Sequence, residues 1–274
     1  MANYNTNEQV YHAQGDKTVG SRLAAVVCVL VQRGIFIAGF SATNELLTIQ
    51  YTGYNKNKPV WELDFFEHIF NTDPMLSKKD SIRGMFIGSE KNLVVPDELY
   101  GKTEAGKWLS QIHFVEATDM VTTCPLDDEK AVYVMAVPVG IIELVKINFT
   151  QAAVLPLPLY QFRNTDKSAY LMQICLSGEQ VCVTLLNAGK LLWHKVYAYN
   201  TAEDIAYSLK LYCRENYVDP ALLNIVCTGL SASEFERINE LTQYFPDIKT
   251  GDGSNFTGIW SGAVSLAQQL FACV

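Results

Sequence analysis

Four histidines, seven cysteines and a few pairs of acids are the chain's main stock of groups for covalent or proton-transfer chemistry. His12, His68, His113 and His194 are scattered over a polar N-terminal stretch, a helix-patterned segment and two strand-patterned ones. A nucleophile and its histidine meet in space rather than along the chain, so spacing leaves such a pair open, but no G-x-S-x-G elbow is present. Cys28, Cys124, Cys175, Cys182, Cys213, Cys227 and Cys273 sit mostly in apolar runs, as small buried hydrophobes do in a reducing compartment. There is no C-x-x-C, and no Cys or His pair has zinc-ligand spacing, so no metal is expected. Of the acid pairs, Asp127 and Asp128 fall in a loop. Glu234 and Glu236 fall at a helix start, where the helix dipole favours acids without any catalytic duty.

Glycine offers a second kind of chemistry, the close approach of backbone to a ligand. Gly178-Glu179 lies in a hairpin turn, where turn geometry and solvation already account for both residues. Thr228-Gly229 follows a buried-looking strand, and Gly229 suits either a tight turn into a helix or a ligand. Neither G-x-x-x-x-G-K-[ST] nor G-x-G-x-x-G occurs, so the familiar phosphate cradles are missing.

The elements that must position these residues follow from the apolar pattern. With 274 residues, 49% hydrophobic and 18% charged, the chain can bury one large core or two medium ones. A net charge of −8 without a basic cluster excludes a general nucleic-acid binder. The longest apolar stretches, residues 23–31 and 131–145, fall short of the roughly 20 residues that span a bilayer. No basic segment leads into an apolar one near the N-terminus, so a cytoplasmic location and no direct membrane insertion are expected.

Runs at 23–31, 35–40 and 46–51, joined by short turns, predict an antiparallel meander. A helix over 60–70 closed by Asp73-Pro74 and a strand at 82–87 follow. The same order returns with strands at 170–176, 181–186 and 191–199. Thr201 then caps a helix that Asp219-Pro220 closes, and a strand at 224–227 precedes a helix opened by Ser231 or Ser233 with Phe235, Ile238, Leu241 and Thr242 inward. Between the copies the pattern predicts a helical piece within 96–108, strands at 113–116 and 131–136, a helix from Pro138 to Lys146 and an extended edge segment at 151–159. The expected organisation is a polar segment at 1–20, one half at 21–163 and a second at 164–274, with the linker at 163–168.

Meander, helix, strand and helix, given twice, resemble the actin-like and ribonuclease H-like superfold: an α/β fold of two tandem duplicated domains, each a mixed sheet with a three-strand antiparallel meander flanked by helices. Asn224-Ile225-Val226-Cys227-Thr228-Gly229-Leu230-Ser231 is similar to the stretch beside the adenine in bacterial actin homologues, and Ile259-Trp260-Ser261-Gly262-Ala263 to the start of their closing helix. The whole chain resembles a bacterial domain-of-unknown-function family with an actin-like ATPase fold. In nucleotide-binding members an acid and a glycine open each half, because Mg²⁺ needs carboxylate oxygens and phosphates need backbone amides. Here the matching stretches read Val29-Leu30-Val31-Gln32-Arg33-Gly34 and Cys175-Leu176-Ser177-Gly178-Glu179, with no Asp in the first strand of either half. The ribonuclease H relatives also place an acid on that strand, so nuclease chemistry is disfavoured.

The resemblance therefore implies a non-catalytic interaction or scaffold protein with a degenerate nucleotide site, no cofactor, an unknown protein partner, no nucleic acid, and a homodimer as one arrangement. The alternative it leaves open is a nucleotide-binding actin-like ATPase that takes ATP with Mg, with Gly178 and Glu179 at the phosphates and Thr228 and Gly229 at the base.

Overall fold

The computed structural model describes residues 6–13, 19–100, 105–163, 170–251 and 258–274. The chain divides into a first unit, residues 1–157 with 267–274, and a second, residues 158–266. The expected linker lies, from residue 164 onward, outside the described residues.

In the first unit the chain runs β1 (Asn7–His12), α1 (Val19–Arg22), β2 (Ala25–Val31), β3 (Gly34–Phe40), β4 (Leu46–Gly53), α2 (Leu63–Thr72) and β5 (Ile82–Ile87). It continues through β6 (Asn92–Pro96), α3 (Ala105–Ser110), β7 (Asp119–Leu126), β8 (Ala131–Pro138), α4 (Val139–Asn148) and β9 (Ala153–Pro156). A six-stranded sheet has the order β1-β4-β3-β2-β5-β9, and a three-stranded sheet the order β6-β8-β7. Every residue of β2 and β3 is buried, so both faces of these strands are covered. That is why their sequences are continuous apolar runs rather than alternating ones.

The second unit carries α5 (Leu159–Phe162), β10 (Tyr170–Ser177), β11 (Gln180–Asn187), β12 (Lys190–Ala198), α6 (Ala202–Glu215), β13 (Leu223–Gly229), α7 (Ala232–Leu241) and β14 (Lys249–Thr250). It also holds the start of α8 (Ser261–Phe271). Its sheet has the order β12-β11-β10-β13-β14. Pairing is antiparallel from β12 to β10 and parallel from β10 to β14. In the first unit β4-β3-β2-β5-β9 follows the same sequence of directions.

Four expectations need correction. Residues 113–116 form no strand; the strand is β7, which begins at Asp119. Its Thr pair and Pro125 break the apolar pattern, yet β7 is the outer strand of its sheet and an outer strand tolerates proline. Strand β6 was hidden in the same way by its brevity and its terminal Pro96. Asn7–His12, within the polar N-terminal segment, pairs as β1 along all of its length with β4. Its residues alternate between exposed and half-buried, so no buried run marks it. On α7 the buried residues are Glu234, Ile238 and Leu241, while Phe235 is half-buried and Thr242 exposed. Ile238 and Leu241 are thus inward as expected, and Glu234 takes the place expected of Phe235.

Helix α6 shows local and tertiary terms together. Thr201 accepts from the Asp204 N–H at 3.3 Å, and the Asp204 carboxylate accepts from the N–H groups of Asn200 and Thr201 at 3.0 Å each, a reciprocal cap. Ile205, Leu209 and Cys213 then bury one face against the core of the second sheet. Packing outweighs capping here. In urea denaturation followed by circular dichroism, Leu209→Ala is expected to cost about 2–5 kcal/mol, and Thr201→Ala about 1 kcal/mol.

Candidate functional site

In the second unit the hairpin between β10 and β11 turns at Gly178, which has a φ of 69° that glycine adopts without strain. Strand β13 runs parallel to β10, with Thr228 opposite Cys175 and Gly229 opposite Leu176. The chain then bends: Leu230 N–H donates to Leu176 C=O at 3.2 Å, and Ser231 becomes the N-cap of α7. This geometry sets the third residue of α7, Glu234, beneath the hairpin turn. One carboxylate oxygen accepts from Gly178 N–H at 2.6 Å and the other from Ser231 N–H at 2.8 Å. A single side chain therefore fastens the hairpin to the helix start.

All four sequence candidates stand around this carboxylate, but in different environments. Gly178 is exposed and Glu179 half-buried, on the turn itself. Thr228 is buried; its hydroxyl lies 2.9 Å from the Tyr160 hydroxyl and donates to Ile174 C=O at 3.3 Å. Gly229 has no room for a side chain, because a Cβ there would come within 2.8 Å of a Glu234 oxygen. Glycine at 229 is thus required by an internal neighbour. Glu234 itself was read only as a dipole-favoured acid. The Ser-x-x-Glu spacing signals a capping box, but nothing in the sequence signals the second bond, 56 residues away.

In the first unit the corresponding turn, between β2 and β3, is roofed by the segment after β4. Trp61 N–H donates to Gln32 C=O at 2.8 Å, Tyr54 N–H donates to Arg33 C=O at 3.0 Å, and the Tyr54 hydroxyl lies 2.8 Å from Gln32 C=O. The Arg33 guanidinium donates to Lys58 C=O.

A second polar group lies inside the second unit. Gln161 on α5 accepts from Thr184 at 2.6 Å and from the Cys182 thiol at 3.1 Å, and Gln173 donates to the Gln161 backbone at 2.8 Å. Thr184 also lies 2.9 Å from His194 Nδ1. The resemblance to a nucleophile and base is geometric only. Burial pushes His194 down to about 3 and raises the Cys182 thiol, so imidazole and thiol both stay neutral near pH 7. Cys28, Cys175, Cys213 and Cys227 are buried and raised by the same cause, leaving Cys124 and Cys273 partly exposed. His12 lies near Thr48 and His113 near Asn92 C=O, far from any shared centre in sequence or sheet. Among the described residues no three His, Cys, Asp or Glu side chains converge as a metal site.

Desolvation lifts the Glu234 carboxyl from an ordinary 4.5 to about 7, against the opposing N–H bonds from Gly178, Ser231 and Leu230. An acid raised in the folded state holds a proton that the unfolded chain releases. Its stabilising contribution, on the order of 3 kcal/mol, is full below pH 4.5 and is lost as pH rises to about 7. Glu234→Gln keeps the volume but sets an amide donor against one backbone N–H, costing about 1–3 kcal/mol. Thermal unfolding across this window should fall with pH in the parent chain and run flatter in the variant; equal slopes would assign the dependence to another group.

Comparison with known proteins bears on the fold. A Bacteroides thetaiotaomicron VPI-5482 protein described as having an actin-like ATPase fold and unknown function matches with a TM-score of 0.73 at 12% identity, over 95% of this chain and 100% of that one. A chain of the PilM-PilN type IV pilus biogenesis complex matches with a TM-score of 0.52 at 13% identity, over 92% of this chain and 99% of that one. No curated protein matches the chain. The family described as "Protein of unknown function (DUF3822)" matches residues 37–248. The chain has the actin-like ATPase fold of these structures and belongs to the DUF3822 family.

Proposed function

We propose that this chain is a non-catalytic actin-fold interaction or scaffold protein of the cytoplasm, built from two copies of one ancestral half, whose nucleotide site is degenerate. The carrying observation is the bond from Gly178 N–H to the Glu234 carboxylate at 2.6 Å. A phosphate cradled by this hairpin needs that N–H, and the chain's own carboxylate already occupies it. Above pH 7, where Glu234 is ionised, a phosphate drawn up beside it would meet a repulsion of about 1–4 kcal/mol at 4 Å. Strands β2 and β10 carry no acid for a cation, and the first hairpin turn is covered by Tyr54 and Trp61. The ATP and Mg alternative asks Gly178, Glu179, Thr228 and Gly229 to face a ligand. Thr228 and Gly229 instead serve Tyr160 and Glu234.

The interaction half of the reading draws on the structural relative found in a pilus biogenesis complex. It agrees with the absence, among the described residues, of any helix long and apolar enough to cross a membrane. The two halves follow one strand order, which supports the duplication.

The deciding measurement is thermal unfolding with and without millimolar Mg-ATP. A ligand at 100 times its Kd adds about 2.7 kcal/mol to the native state, enough to raise the midpoint by several degrees. No shift is expected; a rise of that size would replace this reading with the ATPase alternative.

A further inference from the structure

A half-open groove in the first unit takes no part in the site above. It has a volume of about 380 Å³, within the range of sites that enclose a ligand. Tyr133 and Met135 of β8, Ile142 and Lys146 of α4, and two short runs, residues 122–125 of β7 and 154–156 of β9, line it. Each run contributes successive residues, whereas a strand that presents a face contributes alternate ones. Thr122 and Cys124 pair with Met135 and Tyr133 of β8 and share their face, so Thr123 and Pro125 reach the groove at the outer edge of β7, as the successive residues of β9 do at its own edge.

Both are outer strands, β7 of the three-stranded sheet and β9 of the six-stranded one. Leu157 N–H donates to Ile87 C=O, so in the parallel ladder of β5 and β9 the backbone groups of Val154 point away from β5. An edge with no strand partner among the described residues is a template for another extended chain. The Thr122 hydroxyl is buried and has no hydrogen-bond partner among the described residues. The lining is otherwise apolar or neutral, and its one charged side chain is Lys146, exposed on α4. Lys146 is the group on this lining that can pair with an anion.

We propose that the groove between β7 and β9 docks an extended apolar peptide segment of a partner protein, added as a strand along the outer edge of β9, with a carboxylate of the segment at Lys146. The proposal rests on the interaction reading and assigns it a place. The four residues of β9 span about 13 Å at strand rise, which seats about four residues of the segment. Backbone pairing supplies affinity, and the apolar pocket together with Lys146 supplies selectivity.

A phage-displayed library of random linear peptides, selected against the whole chain, supplies the probe. The best binder is then synthesised and titrated by fluorescence anisotropy against the parent chain, Lys146→Glu and Val154→Pro. Enriched sequences should alternate apolar residues and carry an Asp, a Glu or a free C-terminus. Lys146→Glu should weaken binding about tenfold through charge reversal. Val154→Pro deletes an outward N–H without touching the ladder to β5, and it should weaken binding at least about as much. If Val154→Pro does not fold, the exposed Lys146→Glu carries the test.

A best peptide that binds all three chains equally overturns the groove and leaves the interaction reading in place. No enrichment over background overturns the groove as well. Displacement of the peptide by octanoate with no strand-like selection assigns the groove to small amphiphiles, and self-association lost in Lys146→Glu assigns it to a second copy; either result overturns the proposal. Stabilisation by Mg-ATP would strike the interaction reading alone.

Discussion

The Glu234 carboxylate joins two backbone segments that no apolar contact could align, because both present N–H groups that need an acceptor. Gly178 belongs to a hairpin and Ser231 to a helix start, and each is bonded to one oxygen of the same side chain. Buried N–H groups left alone are costly. The start of α7 is therefore fastened to the turn between β10 and β11 by polar bonds, while Ile238 and Leu241 bury their side chains further along the helix. The identity of Gly229 follows from this arrangement, since the space a side chain would fill holds the carboxylate.

A similar logic governs the interior beside it. Gln161 satisfies groups from β10 and β11 at once, accepting from Thr184 and Cys182 while exchanging bonds with Gln173. Such a network is worth little against water, yet half-satisfied it would be worse than an apolar core. With Tyr160 on Thr228 and His194 against the Phe162 ring at 4.9 Å, α5 is held on the sheet by direction-dependent contacts as well as by burial. The same desolvation that keeps His194 neutral disqualifies it as a proton carrier.

Much of the architecture was legible in the sequence because its central strands are buried on both faces. Ala25–Val31 advertises itself as an unbroken apolar run and Tyr170–Ser177 as one interrupted only by Gln173 before its terminal Ser177, and the cap at Thr201 and the strand at Ile82–Ile87 were readable to within a residue or two. Outer strands carry no such mark. Asn7–His12 and Asp119–Leu126 are half-wet, one polar and one interrupted by proline, and each is a strand only because a partner lies alongside. The site divides in the same way. Gly178 and Gly229 were visible as turn glycines, but the acid that unites them was not, because the fold creates its bond to Gly178 across 56 residues.

The cysteines carry a consequence of their own. Five thiols lie sealed within the core, and burial holds every one of them in the unreactive protonated form. Alkylating reagents attack the thiolate, so the native chain offers them Cys124 and Cys273, and the remaining five react only as the core opens. Counting modified sulfurs by mass over time would turn these residues into a built-in clock for global unfolding.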